Sequence, residues 1–122
     1  MRYAFLCYDS DAVVGAWTSQ QEEEVFAKHA AVERELADGG RLGPNLSLMP
    51  TSAAVTVRSG GEPIVMDGPF AETKEQLLGF RIIECASLED AIQTARRFAS
   101  HKQMGAIEIR PVAQRDQGTD LT

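Results

Sequence analysis

His29 is the residue whose type and setting most invite chemistry. An imidazole titrates near neutral pH and can take or give a proton in a cleft. It falls in the series Val25, His29, Val32, Leu36, at spacings of four, three and four, flanked by Phe26 and Ala30. That is the apolar stripe of an amphipathic helix. A polar ring on such a stripe needs either a hydrogen bond in the core or a role. A proton-moving histidine also needs an acid to orient it. Asp38 is nine residues further on, and at about 100° per residue it points nearly opposite His29. Asp67, in Met66-Asp67-Gly68-Pro69-Phe70, is the better candidate. Its carboxylate either caps amides of its own turn or points into a cleft and orients His29. His29 and Asp67 are therefore the candidate catalytic pair.

Four further residues are candidates for holding a ligand: Tyr8, Phe70, Lys74 and Arg81. Lys74 and Arg81 can pair with an acidic ligand, although charges of this kind are often simply solvated. Tyr3 and Tyr8 can offer hydroxyls to a pocket, or pack in the core with the hydroxyl hydrogen-bonded at the tip. Phe70 either plugs the core or lines a pocket. His101 follows a helix and precedes Lys102, where the helix C-terminal dipole accounts for it without a function. Cys7 and Cys85 lie far apart in apolar segments and read as reduced, buried thiols. Two Cys and two His are too few and too scattered for a zinc site. There is no serine elbow and no phosphate-binding glycine loop. No metal and no cofactor are expected.

The elements that must position these residues can be read from the periodicity. Residues 2–8 alternate as a strand, with Ala4, Leu6 and Tyr8 on one side and Tyr3, Phe5 and Cys7 on the other. Thr18-Ser19 opens a helix that runs to about Asp38; either hydroxyl can cap it, and Ser19 with Glu22 has capping-box spacing. Gly39-Gly40 offers a left-handed end. Residues 41–49 are extended and broken at Gly43-Pro44. Residues 54–58 and 62–66 form a hairpin around Ser59-Gly60-Gly61, with Arg58 and Glu62 placed to pair. Asp67 to Phe70 is a turn, and 71–76 a polar loop or single helical turn. Residues 77–85 form a strand, with Leu78, Phe80 and Ile82 opposed to Arg81 and Ile83. Ser87 caps a helix whose stripe is Leu88, Ala91, Ile92, Ala95, Phe98 and Ala99. Residues 106–112 close the domain, and 113–122 read as a flexible tail.

This order is β-α-β, hairpin, β-α-β, the α+β ferredoxin-like split βαβ arrangement with an inserted β-hairpin. Right-handed crossovers put both helices on one face of the sheet and leave the other bare. A bare face carrying Tyr, Phe and Ile side chains is a large apolar patch, and a homodimer packed sheet to sheet covers it. The alternative is a monomer whose hairpin and 71–76 loop fold over that face.

The bulk numbers agree with one such domain. The chain has 122 residues, 43% hydrophobic and 25% charged, ordinary for a globular fold. No apolar run approaches the roughly 20 residues of a membrane span, so no membrane association is expected. The first eight residues are too short an apolar run for a signal peptide, and the protein reads as cytoplasmic. A net charge of −6 without a Lys/Arg cluster argues against direct nucleic-acid binding.

The run Met66-Asp67-Gly68-Pro69-Phe70-Ala71-Glu72-Thr73-Lys74-Glu75-Gln76-Leu77, followed by Gly79-Phe80, resembles the motif that names the DGPF branch of the YCII-related family. Leu42 to Pro50, Ala54 to Arg58 and Glu108 to Val112 are similar to the family's other segments in order and spacing. The resemblance covers residues 1 to about 112. It implies a dimeric α/β-barrel fold, and His29 matches the position where YCII relatives carry a histidine. It also implies two kinds of function. One is a homodimeric small-molecule-binding or regulatory domain of unassigned activity, with an unknown ligand and a possible link to an extracytoplasmic-function sigma factor. The other is a cofactor-independent isomerase or lyase acting on a small lactone or cyclic acid through a His–Asp pair. Fold alone licenses neither.

Overall fold

In the computed structural model, residues 1–101 and 105–113 are described. The expected tail, 113–122, lies outside them apart from Ala113. The elements run β1 (Arg2–Asp9), α1 (Asp11–Gly15), α2 (Ser19–Asp38), β2 (Leu42–Ser47), a 3-10 turn (Thr51–Ala53), β3 (Val55–Arg58), β4 (Ile64–Asp67), β5 (Gln76–Glu84), α3 (Leu88–Ala99) and β6 (Ala106–Pro111). Four strands form an antiparallel sheet in the order β2-β5-β1-β6, and β3 and β4 pair separately as a two-stranded ribbon. The fold is α+β, and its strand order is compatible with the ferredoxin-like layout. Within one chain the sheet is open and does not close into a barrel.

Helix ends are set by local chemistry. Thr18 Oγ1 accepts from the Gln21 amide while the Gln21 side chain accepts from the Thr18 amide, at 3.1 and 2.8 Å. The capping box therefore uses Thr18 and Gln21 and not Ser19 and Glu22. Starting one residue earlier leaves Glu22 in the first turn with its carboxylate available to the surroundings. At the other end Gly40 adopts φ +69°, and Arg41 N donates to Leu36 O at 2.8 Å, which closes the helix as the glycine pair foretold. Ser87 caps α3 as expected, whereas Leu88, assigned to its buried stripe, is 54% exposed. The short helix α1 has no counterpart in the sequence reading. It is nucleated by Ser10, whose hydroxyl accepts from Val13 N, and is too short to show a period.

The core lies between the sheet and the two long helices. Tyr3, Phe5 and Ile83 from the strands meet Val32 and Leu36 of α2 and Ala91, Ala95 and Phe98 of α3, with Cys85 beside them. Arg41 latches the same end. Its guanidinium bonds Asp90 at 3.1 Å and Thr94 at 3.4 Å, and its Nε donates to Glu84 O at 2.9 Å. The opposite sheet face, with Leu6, Phe80 and Ile82, is only half-buried, as the two-sided first strand led us to expect. The ribbon is exposed too: Val57, Ile64 and Val65 are each more than 60% accessible. It does not fold over that face. Among the described residues Arg58 and Glu62 form no ion pair.

Two irregularities shape the end of the sheet. The β1/β5 register jumps between Cys7 and Tyr8, which leaves Leu78 as an extra residue, and the β2/β5 register jumps at Gly43-Pro44. Bulges of this kind bend a strand and re-aim its side chains. Gly79 is buried at the first bulge, and a methyl group there would meet the Leu46 carbonyl oxygen. Gly79→Ala should therefore destabilise the protein by about 1–3 kcal/mol, the usual cost of overpacking. Urea denaturation measures it; an unchanged midpoint would show that β2 can move away freely.

Candidate functional site

Helix α2 is buried at its C-terminal half and raised at its N-terminal half. Val32 and Leu36 are 5% and 2% exposed. Val25 and His29, on the same stripe, are half-buried, and Phe26 is 58% exposed. The space beneath the raised half is a cleft of roughly 770 Å³, bounded by α1, α2, the β1–β5 bulge, the end of β2 and the start of β6. That size suits a small molecule.

Arg81 occupies the inner end of the cleft. It projects from β5 on the helix side, across from Phe5, and its side chain is only 12% exposed. A guanidinium so placed must be paired. Its Nη2 and Nε donate to Glu33 Oε1 at 3.0 and 3.2 Å. Nη1 approaches Cys7 Sγ at 3.4 Å, and the plane stacks over Phe98, 4.1 Å from the ring centre. Nη2 also reaches His29 Nδ1 at 3.5 Å. Arginine only donates, so Nδ1 is the acceptor in that contact. Nε2 lies 3.4 Å from the Phe98 carbonyl oxygen, which only accepts, so the hydrogen is on Nε2. Both ring nitrogens of His29 are engaged.

His101 packs tilted against His29, with ring centres 5.2 Å apart. Burial pushes its pKa below the ordinary histidine value, and the positive charges of Lys28 and Arg97 add to this. The expectation of a cation on the helix dipole is thus reversed, because the ring sits where a proton is disfavoured. Its Nδ1 has no hydrogen-bond partner among the described residues.

The structure therefore brings together His29, Arg81 and Tyr8 of the expected site residues, all on the cleft wall. It does not bring Asp67, Phe70 or Lys74 to that wall. Asp67 ends β4, paired with Val55 on the exposed ribbon. Among the described residues its carboxylate takes no hydrogen bond from the turn that follows. That turn is instead tied through Gly68, whose amide donates to Ala54 O and whose carbonyl accepts from Thr56 Oγ1, both at 2.7 Å. Gly68 has φ +91°, which explains a glycine there. Phe70 is 74% exposed and so does not plug the core.

The residue that sequence reasoning missed is Glu33. It is four positions after His29 on the same helix face, the spacing at which helical side chains meet. Asp38 and Asp67 were the acids weighed as partners of His29, whereas Glu33 is the one that reaches Arg81 beside it. Asp11 was missed with α1; its Oδ2 accepts from both the amide and the hydroxyl of Thr51, at 3.1 and 2.6 Å, and this strap holds the cleft mouth to the turn before the ribbon. Among the described residues no cluster of His, Cys, Asp and Glu is placed to hold a metal ion. No described helix is long and apolar enough to cross a membrane.

Two measurements check this geometry. Glu33→Ala should cost about 2 kcal/mol, between the roughly 1 kcal/mol of an exposed pair and the about 3–5 kcal/mol of breaking a buried one, with Glu33→Gln intermediate; equal stability in urea would mean that Arg81 is solvated. For His101 the folded pKa lies below the unfolded one, so the unfolded chain binds the proton first. That contribution to stability is complete above about pH 6.5 and declines as the pH falls through the unfolded value toward the depressed one. His101→Phe should flatten the fall in Tm between pH 7.5 and 5.5, and an unaltered slope would assign that fall to other groups.

Compared with known protein families, residues 1–115 match the YCII-related domain. An uncharacterized protein of Rhizobium meliloti (strain 1021) is 50% identical over 115 residues, covering 93% of each chain.

Proposed function

The chain belongs to the YCII-related domain family, and from that premise we propose that it is a homodimeric small-molecule-binding domain whose ligand occupies the cleft beside His29 and Arg81. One observation carries this reading: a cleft of about 770 Å³ under the raised end of α2, with an ordered polar cluster at its inner end. Ordered side chains around an open space are the usual mark of a ligand site. The half-buried sheet face and the apolar ribbon support the dimer, since a standard interface takes roughly 800 Å² from each partner. In that dimer two sheets face one another, as in a dimeric α/β-barrel. The run from Met66 to Leu77 supports placement in the DGPF branch. A regulatory role beside an extracytoplasmic-function sigma factor is the form this reading takes if the branch resemblance extends to partners.

The isomerase or lyase reading is supported by His29 on the cleft wall. It requires more rearrangement. The Nδ1 lone pair of His29 faces Arg81 and must be released before it can take a proton. Asp67, on the ribbon, would have to arrive from a second copy, as would Phe70 and Lys74 if they touch the ligand.

A thermal-shift screen of small metabolites tests the proposal, paired with light scattering for the dimer. Ala30 lines the cleft and is exposed, so Ala30→Trp should fill the cleft without disturbing the core. A ligand present at a hundred times its Kd should stabilise the wild type by about 2.7 kcal/mol. Ala30→Trp should abolish the shift while keeping the unliganded Tm, and His29→Ala should reduce it. Ligands that stabilise all three proteins equally would remove the cleft from consideration.

A further inference from the structure

Resting on the cleft reading above, we infer that its ligand is an organic cation, a small amine or quaternary ammonium with an apolar body, and not an acid. The walls carry the argument. Among the described residues they present three carboxylates, Asp11, Glu22 and Glu33, against one guanidinium, Arg81. That guanidinium is already committed. It is held by Glu33 through two donors, covered on one face by Phe98 and turned toward Cys7 and His29. An acid binding to Arg81 would have to displace Glu33 or lie against it, and like charges at close range oppose both outcomes.

Asp11 spends Oδ2 on Thr51, but the other two carboxylates keep acceptor capacity. Glu33 uses only Oε1 in the Arg81 pair. The Glu22 carboxylate, on the same wall, takes no hydrogen bond among the described residues. Helix N-termini favour anions, but the start of α2 is closed by the Thr18–Gln21 capping box and screened by Glu22. Tyr8, Trp17 and Phe26 supply aromatic surface on the same walls, and aromatic faces attract ammonium groups by their quadrupole. The net charge of −6 extends a cation-attracting field beyond the cleft.

Trp17 is the single tryptophan of the chain, so its fluorescence reports on the cleft. The probes are benzylamine, benzyl alcohol and benzoate, close in shape and differing in charge, titrated into the full-length protein at pH 7 and low salt. We expect benzylamine to bind about tenfold more tightly than benzoate, a difference within the range of cation–aromatic and ion-pair effects, with benzyl alcohol between them. Glu22→Gln should narrow that ratio by a few-fold, and added salt should do the same. Benzoate binding as tightly as benzylamine would overturn the charge assignment and leave the cleft as a binding site. A benzylamine affinity unchanged in both Glu22→Gln and Glu33→Gln would overturn it as well. No response from any probe, together with a metabolite screen without hits, would remove both the assignment and the cleft reading.

Discussion

A guanidinium on the inward face of a central strand is the constraint around which the two layers of this protein are arranged. Arg81 is 12% exposed, and a charge with so little water must be matched by the protein. Its partners come from three other elements: Glu33 and His29 from α2, Phe98 from α3 and Cys7 from β1. Each of these contacts crosses between elements far apart in sequence. None can form unless the sheet register and both helix positions are already correct, so the cluster selects the native arrangement more than it adds to stability.

The cluster also divides the space between helices and sheet. On the Arg41 side, Leu36, Phe5 and Ile83 meet through apolar contact and exclude water. On the other side Arg81 and its partners lie between α2 and the sheet, and the cleft opens beyond them beside the bulge at Leu78. The same helical stripe thus becomes core at Val32 and cleft wall at Val25 and His29. Cleft wall and core share one face of one helix, divided by the Arg81–Glu33 ion pair.

Much of this was legible in the sequence, and the failures have physical causes. Period and capping residues gave α2, α3 and the four sheet strands, since Ser87, Gly40 and the alternation of Tyr3, Phe5 and Cys7 act locally. His29 stood out because a polar ring on an apolar stripe is conspicuous. Its true neighbours did not, since Arg81 is 52 positions away and His101 meets it only after α3 has crossed the sheet. Glu33 did not stand out either, since the Arg81 that it pairs with comes from a strand far along the chain. Asp67 was attractive because its turn is so distinctive. A distinctive turn fixes the backbone, however, and the ribbon carries that turn away from the cleft of its own chain.

The strap between Asp11 and Thr51 ties these two regions together. One carboxylate oxygen receives both the amide and the hydroxyl of Thr51. Asp11 belongs to the cleft wall, and Thr51 begins the turn that leads into the ribbon. A two-stranded ribbon is marginally stable on its own in water, so its position answers readily to whatever covers it. A ligand in the cleft and a partner on the ribbon would therefore act on the same joint. If either moves that joint, thermodynamic reciprocity requires each to alter the affinity of the other by the same factor. Three hydrogen-bonding atoms thus join the cleft wall to the ribbon.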